Sequence, residues 1–144
     1  MKKSILCLVA GALSLGLTSC NKDDDNIVHR TDGFPYAIVG EWKIEQFGEI
    51  LNAQEVLTNY ENECSTNHDR IEFTSTRAIS TDYDAQCVAD TDDSSYHIVG
   101  AALKVNSDEG VEEFQILTLN STTMKLMQTD EDGNRILMVF ARNK

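Results

Sequence analysis

Basic residues are scarce in this sequence: 12 Lys and Arg stand against 24 Asp and Glu, for a formal net charge of −12. So acidic a surface repels a phosphate backbone, and no basic stripe, RRM, helix-turn-helix or zinc-finger spacing offsets it, which excludes nucleic acid as a partner. Histidine is scarcer still, and His29, His68 and His97 are dispersed, with no pair at the spacing a helical metal site needs. The sequence lacks a Gly-x-Ser-x-Gly elbow and any Cys–His context for a nucleophile. Two acidic runs, Asp90-Thr91-Asp92-Asp93 and Asp130-Glu131-Asp132, miss the spacing and glycine of a calcium-binding loop and read as solvated turns. Glu72 and Asp82 form a carboxylate pair on paper alone, on strand faces expected to look at water. No catalytic residue, metal or cofactor is therefore expected, and the chain does not read as an enzyme. The one proline, Pro35, stands just before the first expected strand, where a missing N–H does no harm.

Long apolar runs are also missing, with one exception at the start. Lys2 and Lys3 precede Ile5-Leu6-Cys7-Leu8-Val9-Ala10, which continues through Gly11-Ala12-Leu13 to Leu17-Thr18-Ser19-Cys20. This is the charged head, short apolar stretch and small-residue cleavage site of a secretory signal, too short to cross a hydrocarbon layer of ~30 Å with anchoring flanks. Leu17-Thr18-Ser19-Cys20 resembles a bacterial lipobox at every position. That resemblance implies removal of residues 1–19, lipidation of Cys20 and attachment to a membrane through the lipid. The signal carries two lysines and no acid, so the exported part is more acidic than the whole.

Four cysteines then sort themselves. Cys7 leaves with the signal and Cys20 carries lipid, which leaves Cys64 and Cys87 as an even pair in an oxidising compartment. A disulfide is the default there, worth about 3 kcal/mol by chain entropy, and two reduced buried thiols are the alternative. Behind Cys20, Asn21-Lys22-Asp23-Asp24-Asp25-Asn26 opens a polar linker over residues 20–35 that cannot bury a core. A Lys followed by acids directly after a lipidated cysteine resembles the lipoprotein export signal of the Bacteroidetes, which implies a place on the outer membrane. The same composition also suits a plain flexible spacer, so a periplasmic or a surface-exposed position is compatible with the sequence.

Residues 36–144 read as one domain of strands and turns. Ile38 to Phe47 alternates, with Trp42 and Ile44 on one face and Lys43 and Glu45 on the other. Asn52 to Tyr60 reads as a short helical turn: Asn52 can cap, Glu55 follows three residues on, and Val56, Leu57 and Tyr60 share a face. Arg70 to Thr74 and Arg77 to Tyr83 form an expected hairpin. After the acidic loop at Asp90 to Asp93 come Ser95 to Val99 and Ala102 to Val105, separated by Gly100 as a bend or bulge. Glu113 to Leu119, Thr123 to Gln128 and Arg135 to Ala141 complete the set, the last two joined across Asp132-Gly133, a strong hairpin signal. About eight closely spaced strands suit an all-β barrel or sandwich.

Gly40-Glu41-Trp42 in the first strand, with Arg142 ending the last, resembles the lipocalin and calycin signature. In that family the tryptophan plugs the closed end of an eight-stranded, antiparallel, up-and-down barrel and the arginine packs across its ring. The resemblance implies that Gly40, Trp42 and Arg142 close the barrel, and that a small hydrophobic or amphipathic molecule can occupy its interior. The side chains expected to line that interior are Phe73, Tyr96, Phe114, Ile116, Met124, Leu126, Met138 and Phe140, each of which also suits a plain core. A filled barrel would instead serve as an envelope interaction module that docks a protein partner through its loops. Clear second and third lipocalin motifs are missing, so the resemblance carries the fold and leaves the ligand open. If Cys20 is lipidated, Cys20→Ser moves the protein from the membrane fraction to the soluble fraction; retention in the membrane would refute the anchor.

Overall fold

The computed structural model describes residues 38–108 and 110–143. The signal at 1–19, Cys20 and the linker at 20–35 lie outside the described residues. Among the described residues nine strands follow one another: β1 (Gly40–Leu51), β2 (Gln54–Asn59), β3 (Arg70–Phe73), β4 (Arg77–Tyr83), β5 (Ala89–Val99), β6 (Ala102–Ser107), β7 (Gly110–Leu119), β8 (Thr123–Thr129) and β9 (Arg135–Arg142). From β3 to β9 each strand pairs antiparallel with the next, and β1 pairs with β9, from Trp42 opposite Arg142 to Glu49 opposite Ile136. The other edge of β1 is divided. Gly40 to Lys43 pairs with β3, while Gln46 to Leu51 pairs with β2. Because β2 and β3 take successive halves of one edge, nine strands make an antiparallel ring of eight positions, and closure removes most of the edges an open sheet would expose, leaving the outer edge of β2 and the top of β4 without a strand partner among the described residues.

Alternation supplies the core. Ile38, Trp42, Phe73, Ala78, Tyr96, Leu103, Ile116, Leu119, Met124, Leu126 and Phe140 form one buried cluster. Two register shifts, between Ile44 and Gln46 in β1 and between Ile116 and Thr118 in β7, each place an extra residue in one strand. The second shift lets Ile116 and Leu119 both reach the core despite their odd spacing.

Three expectations from sequence are overturned. Asn52 to Tyr60 is not a helical turn but β2, paired residue for residue with β1. Asn52 and Ala53 both hold positive φ, 49° and 63°, the backbone of a two-residue hairpin turn whose twist matches its strands. Six residues cannot stabilise a helix alone, and the ladder of β1 offers backbone hydrogen bonds that a lone helical turn cannot match. Asp90 to Asp93 is not a loop but the first half of β5, opposite Ile79 to Asp82 of β4. At the rim of a barrel both sheet faces meet water, so backbone pairing continues although the side chains are acids. Gly100 is neither bend nor bulge within a strand: Gly100 and Ala101 form the turn between β5 and β6, with Val99 opposite Ala102.

The β1–β2 hairpin is folded back on the barrel's outside. Leu137 and Lys125 alternate with the core residues Met138, Leu126 and Met124, so they face outward. Leu137 is nevertheless 0% exposed, and the residue across from it on β1 is Gly48. A Cβ on Gly48 would stand 1.9 Å from the Val56 carbonyl oxygen and 2.9 Å from the Leu57 Cα, both on β2. Such closeness is possible only where the hairpin is sharply creased and one strand lacks a side chain. The crease brings Glu55 of β2 to Lys125 of β8 as an ion pair at 2.5 Å. Gly48→Ala forces backbone against backbone and should cost about 1–3 kcal/mol, the usual penalty of overpacking. Equilibrium urea unfolding checks it, and a loss much smaller than this would mean the crease relaxes freely.

Candidate functional site

One end of the barrel is sealed, and the seal is built from the two ends of the described chain. Trp42 is 0% exposed, and its indole Nε1–H donates to the Ile38 carbonyl at 2.7 Å, which satisfies the one polar atom the ring would otherwise bury unpaired. The Arg142 guanidinium lies over the Trp42 ring, 4.2 Å from carbon to ring centroid, and Nη1 donates to the Val39 carbonyl at 2.9 Å. A cation over an indole is worth about 0.5–2 kcal/mol. Gly40 adopts φ 134°, and a Cβ there would stand 2.4 Å from Arg142 Nη1. Conformation and space both call for glycine at this position. Gly40, Trp42 and Arg142 thus meet at one place although 102 residues of sequence separate the first from the last.

Of the eight side chains named as interior candidates, Phe73, Tyr96, Ile116, Met124, Leu126 and Phe140 are buried in the core, at 0 to 5% exposure. Phe114 and Met138 pack against that cluster but remain partly exposed. Phe73 and Tyr96 meet edge to face with centroids 5.0 Å apart, and the Tyr96 hydroxyl donates to the Thr74 carbonyl at 2.6 Å. The six buried residues therefore fill space with one another, whereas Phe114 and Met138 keep surface available.

The opposite end differs in charge. Ala78 faces the core, so Ser80 and Asp82 share its face of β4, and their cross-strand partners Asp92 and Asp90 share that face of β5. Asp82 and Glu72 are both exposed to water, as expected, Asp82 on the inner face of the rim and Glu72, opposite Ile79, on the outer face. Partial burial raises the Asp82 carboxyl above its ordinary value, and the charges of Asp69, Asp92 and Asp90 raise it further. Among the described residues no group of His, Cys, Asp and Glu is placed to hold a metal ion. Two surface grooves lie outside the core. One, of about 410 Å³, borders Arg142 and Thr122, and the other, of about 420 Å³, runs between β1 and residues 59–68.

Cys64 and Cys87 are joined as a disulfide with Cα atoms 4.9 Å apart. The residue beside it that organises this region carries no signal in the local sequence pattern. Asp69 is buried at 4%, accepts from the Tyr60 hydroxyl at 2.6 Å and from the Tyr83 amide at 2.8 Å, and its own amide donates to Asn62 Oδ1 at 2.8 Å. Burial, and then this hydrogen bond to Asp69, push the Tyr60 phenol well above its ordinary value.

The model of the family described as "lipocalin-like domain" matches residues 38–126, well over half of the chain. The chain belongs to the lipocalin-like domain family. Its fold is similar to that of a lipocalin-like protein from Bacteroides uniformis, at 12% identity and a TM-score of 0.57 over 73% of this chain and 97% of that one. It is also similar to an uncharacterized protein from Bacteroides eggerthii, at 10% identity and a TM-score of 0.52 over 73% and 98% of the two chains. No curated protein matches the sequence. At such identities the likeness shows the fold of this lipocalin-like domain alone.

The raised Asp82 carboxyl has a definite sign. Below the ordinary carboxylate range both folded and unfolded chains are protonated and Asp82 costs nothing. As pH rises through that range the unfolded chain ionises first, and the folded state loses stability. Asp82→Asn should therefore raise Tm at pH 7 and give no gain at about pH 3. A thermal melt at the two values checks this, and an equal shift at both would assign the effect to packing.

Proposed function

We propose that this lipocalin-like domain is a non-catalytic binding protein, tethered to the bacterial envelope through Cys20, that takes up one small apolar or amphipathic molecule inside its barrel. The observation that carries the reading is the contrast between the two ends: a floor closed by Trp42 under Arg142, and above it Phe114 and Met138 left partly exposed beside a buried apolar cluster. Barrels of eight strands have interiors of a size that either side chains fill or one small ligand shares, and the lipocalin-like fold supports the second use. Two acyl chains at Cys20 would hold the domain at the membrane, each buried CH₂ contributing about 0.8 kcal/mol. The outer membrane is the proposed address, on the strength of the Lys22-Asp23-Asp24-Asp25 tract behind the lipobox.

The acidic inner rim bears on which molecules suit. Asp82, Asp90 and Asp92 face a ligand with three carboxylates on adjoining strands, so a neutral or cationic head is favoured over an anionic one. One observation favours the second reading, an envelope interaction module with a filled barrel: six of the eight interior candidates are already buried against one another.

A neutral fluorescent probe such as N-phenyl-1-naphthylamine, titrated into the purified domain, should bind with blue-shifted, enhanced emission. Phe114→Ala should weaken it by about tenfold, which corresponds to 1.4 kcal/mol of lost contact. Absence of binding at millimolar probe, combined with recovery of one protein partner in stoichiometric amount from native membranes, would overturn the carrier in favour of the module.

A further inference from the structure

The barrel wall is built of paired strands except along one stretch. On the lower part of β1, Gly40 to Lys43 pairs with β3, and β3 pairs with β4 as far as Thr81. Above Lys43 the edge of β1 is taken by β2, which is creased outward at Gly48, and above Thr81 the facing edge of β4 has no strand beside it. Residues 60–69, which belong to no strand, occupy the gap.

The fastening of this segment is uneven. Its two ends are bonded to β1: the Tyr60 amide donates to the Glu45 carbonyl at 2.8 Å, and the Ile44 amide to the Asp69 carbonyl at 3.2 Å. Asp69 also receives the Tyr83 amide at the top of β4. Between those ends, the middle reaches the β4–β5 turn through the Cys64–Cys87 bond and the Thr66 hydroxyl 3.6 Å from Cys87 Sγ. A groove of about 420 Å³, lined by Ile44, Gln46, Tyr60, Asn62 and His68 among others, separates the segment from β1. One covalent bond thus holds the middle of a ten-residue strap across an opening that hydrogen-bonded strands close everywhere else.

The two sulfurs are not equally accessible. Cys64 is 2% exposed, whereas Cys87 is partly exposed in a turn at φ 60°, between exposed Gln86 and Val88. Cys64 Sγ accepts the Asn67 amide at 3.2 Å and lies 3.4 Å from the Thr66 hydroxyl. Both contacts would stabilise negative charge on that sulfur, and a stabilised thiolate is the better leaving group.

We propose that residues 60–69 are a thiol-released strap: an external dithiol opens the Cys64–Cys87 bond by attack at Cys87, and the freed strap exposes the barrel interior from the side. One thiolate of the dithiol bonds to Cys87 Sγ, and the protein S–S bond breaks with its electron pair leaving on Cys64 Sγ, which takes up a proton. The second thiol of the reagent then displaces Cys87, forms the reagent's own disulfide and releases the second protein thiol. Two electrons pass to the protein, and the dithiol is oxidised. What passes through the opening rests on the carrier reading of the preceding section; the opening itself does not.

Hydrogen exchange followed by mass spectrometry on the purified full chain, oxidised and then reduced with dithiothreitol, tests the strap without any ligand. The amides of residues 61–68 should exchange at least tenfold faster after reduction, with β6 to β9 unchanged. Unchanged exchange in the strap would overturn the proposal, because Asp69 alone would then hold it. Acceleration in every strand would overturn it as well, by making the disulfide a staple of the whole fold. A brief exposure to glutathione with acid quenching reads the direction of attack: the mixed disulfide should sit on Cys87, and its accumulation on Cys64 would refute that step. The double variant Cys64→Ser, Cys87→Ser should show the fast strap without reductant. If it fails to fold, the wild-type exchange pattern still decides.

Discussion

Closure of β1 upon β9 is the constraint on which the rest of this barrel depends. Two strands separated by almost the whole domain in sequence must find each other before the ring has any inside, and loop closure over such a distance is costly until contacts offset it. Trp42 and Arg142 stand opposite each other in that pairing, so the stack of guanidinium on indole joins the first strand to the last at the level of the backbone register. Its hydrogen bonds run to Ile38 and Val39, which precede β1, so the same contact also fastens the chain leading into the barrel. Gly40 makes room for it. Three residues thus determine strand pairing, the seal at one end and the direction from which the chain arrives.

With that end fixed, the two halves of the barrel diverge in character. Near the seal the interior is apolar and filled, with Trp42, Phe73, Met124 and Leu119 at no more than 2% exposure. Toward the other end β4 and β5 turn aspartates inward, and Phe114 and Met138 are only partly covered. The cost of the aspartates is visible in the raised Asp82 carboxyl, a charge that burial and its neighbours both disfavour. Natural chains tolerate such costs where binding or specificity gains by them.

Much of this was legible beforehand, and the reasons are local. Strands such as Thr123 to Gln128 and Arg135 to Ala141 alternate cleanly because one face meets the core and the other meets water, and Asp132-Gly133 marks the turn between them. Gly-x-Trp near the start and arginine at the end carry the family resemblance because the closing contact needs those side chains. Legibility failed where long-range pairing overrode local pattern. Glu55 looks like half of a capping box until Lys125, brought near by the crease, claims it. Asp90 to Asp93 reads as loop because nothing in the run itself announces that β4 will continue beside it. Gly48 carried a usable signal, since a lone glycine within a strand pattern marks a close backbone approach. Asp69 carried none: a single acid ahead of a short strand gives no hint that two tyrosines and an amide will converge on it.

The position of the chain ends has a mechanical consequence. Ile38 enters beside Trp42, and the Asn143 amide donates to the Glu41 carbonyl at 2.9 Å, so both ends of the described chain leave from the sealed face. A pull on the leading segment therefore peels β1 from its neighbours at one end, bond by bond, instead of shearing the whole ladder at once. The first link to bear the load is the indole ring under its guanidinium. Any load applied there falls on the contact that closes the barrel, and the acidic rim lies at the end farthest from it.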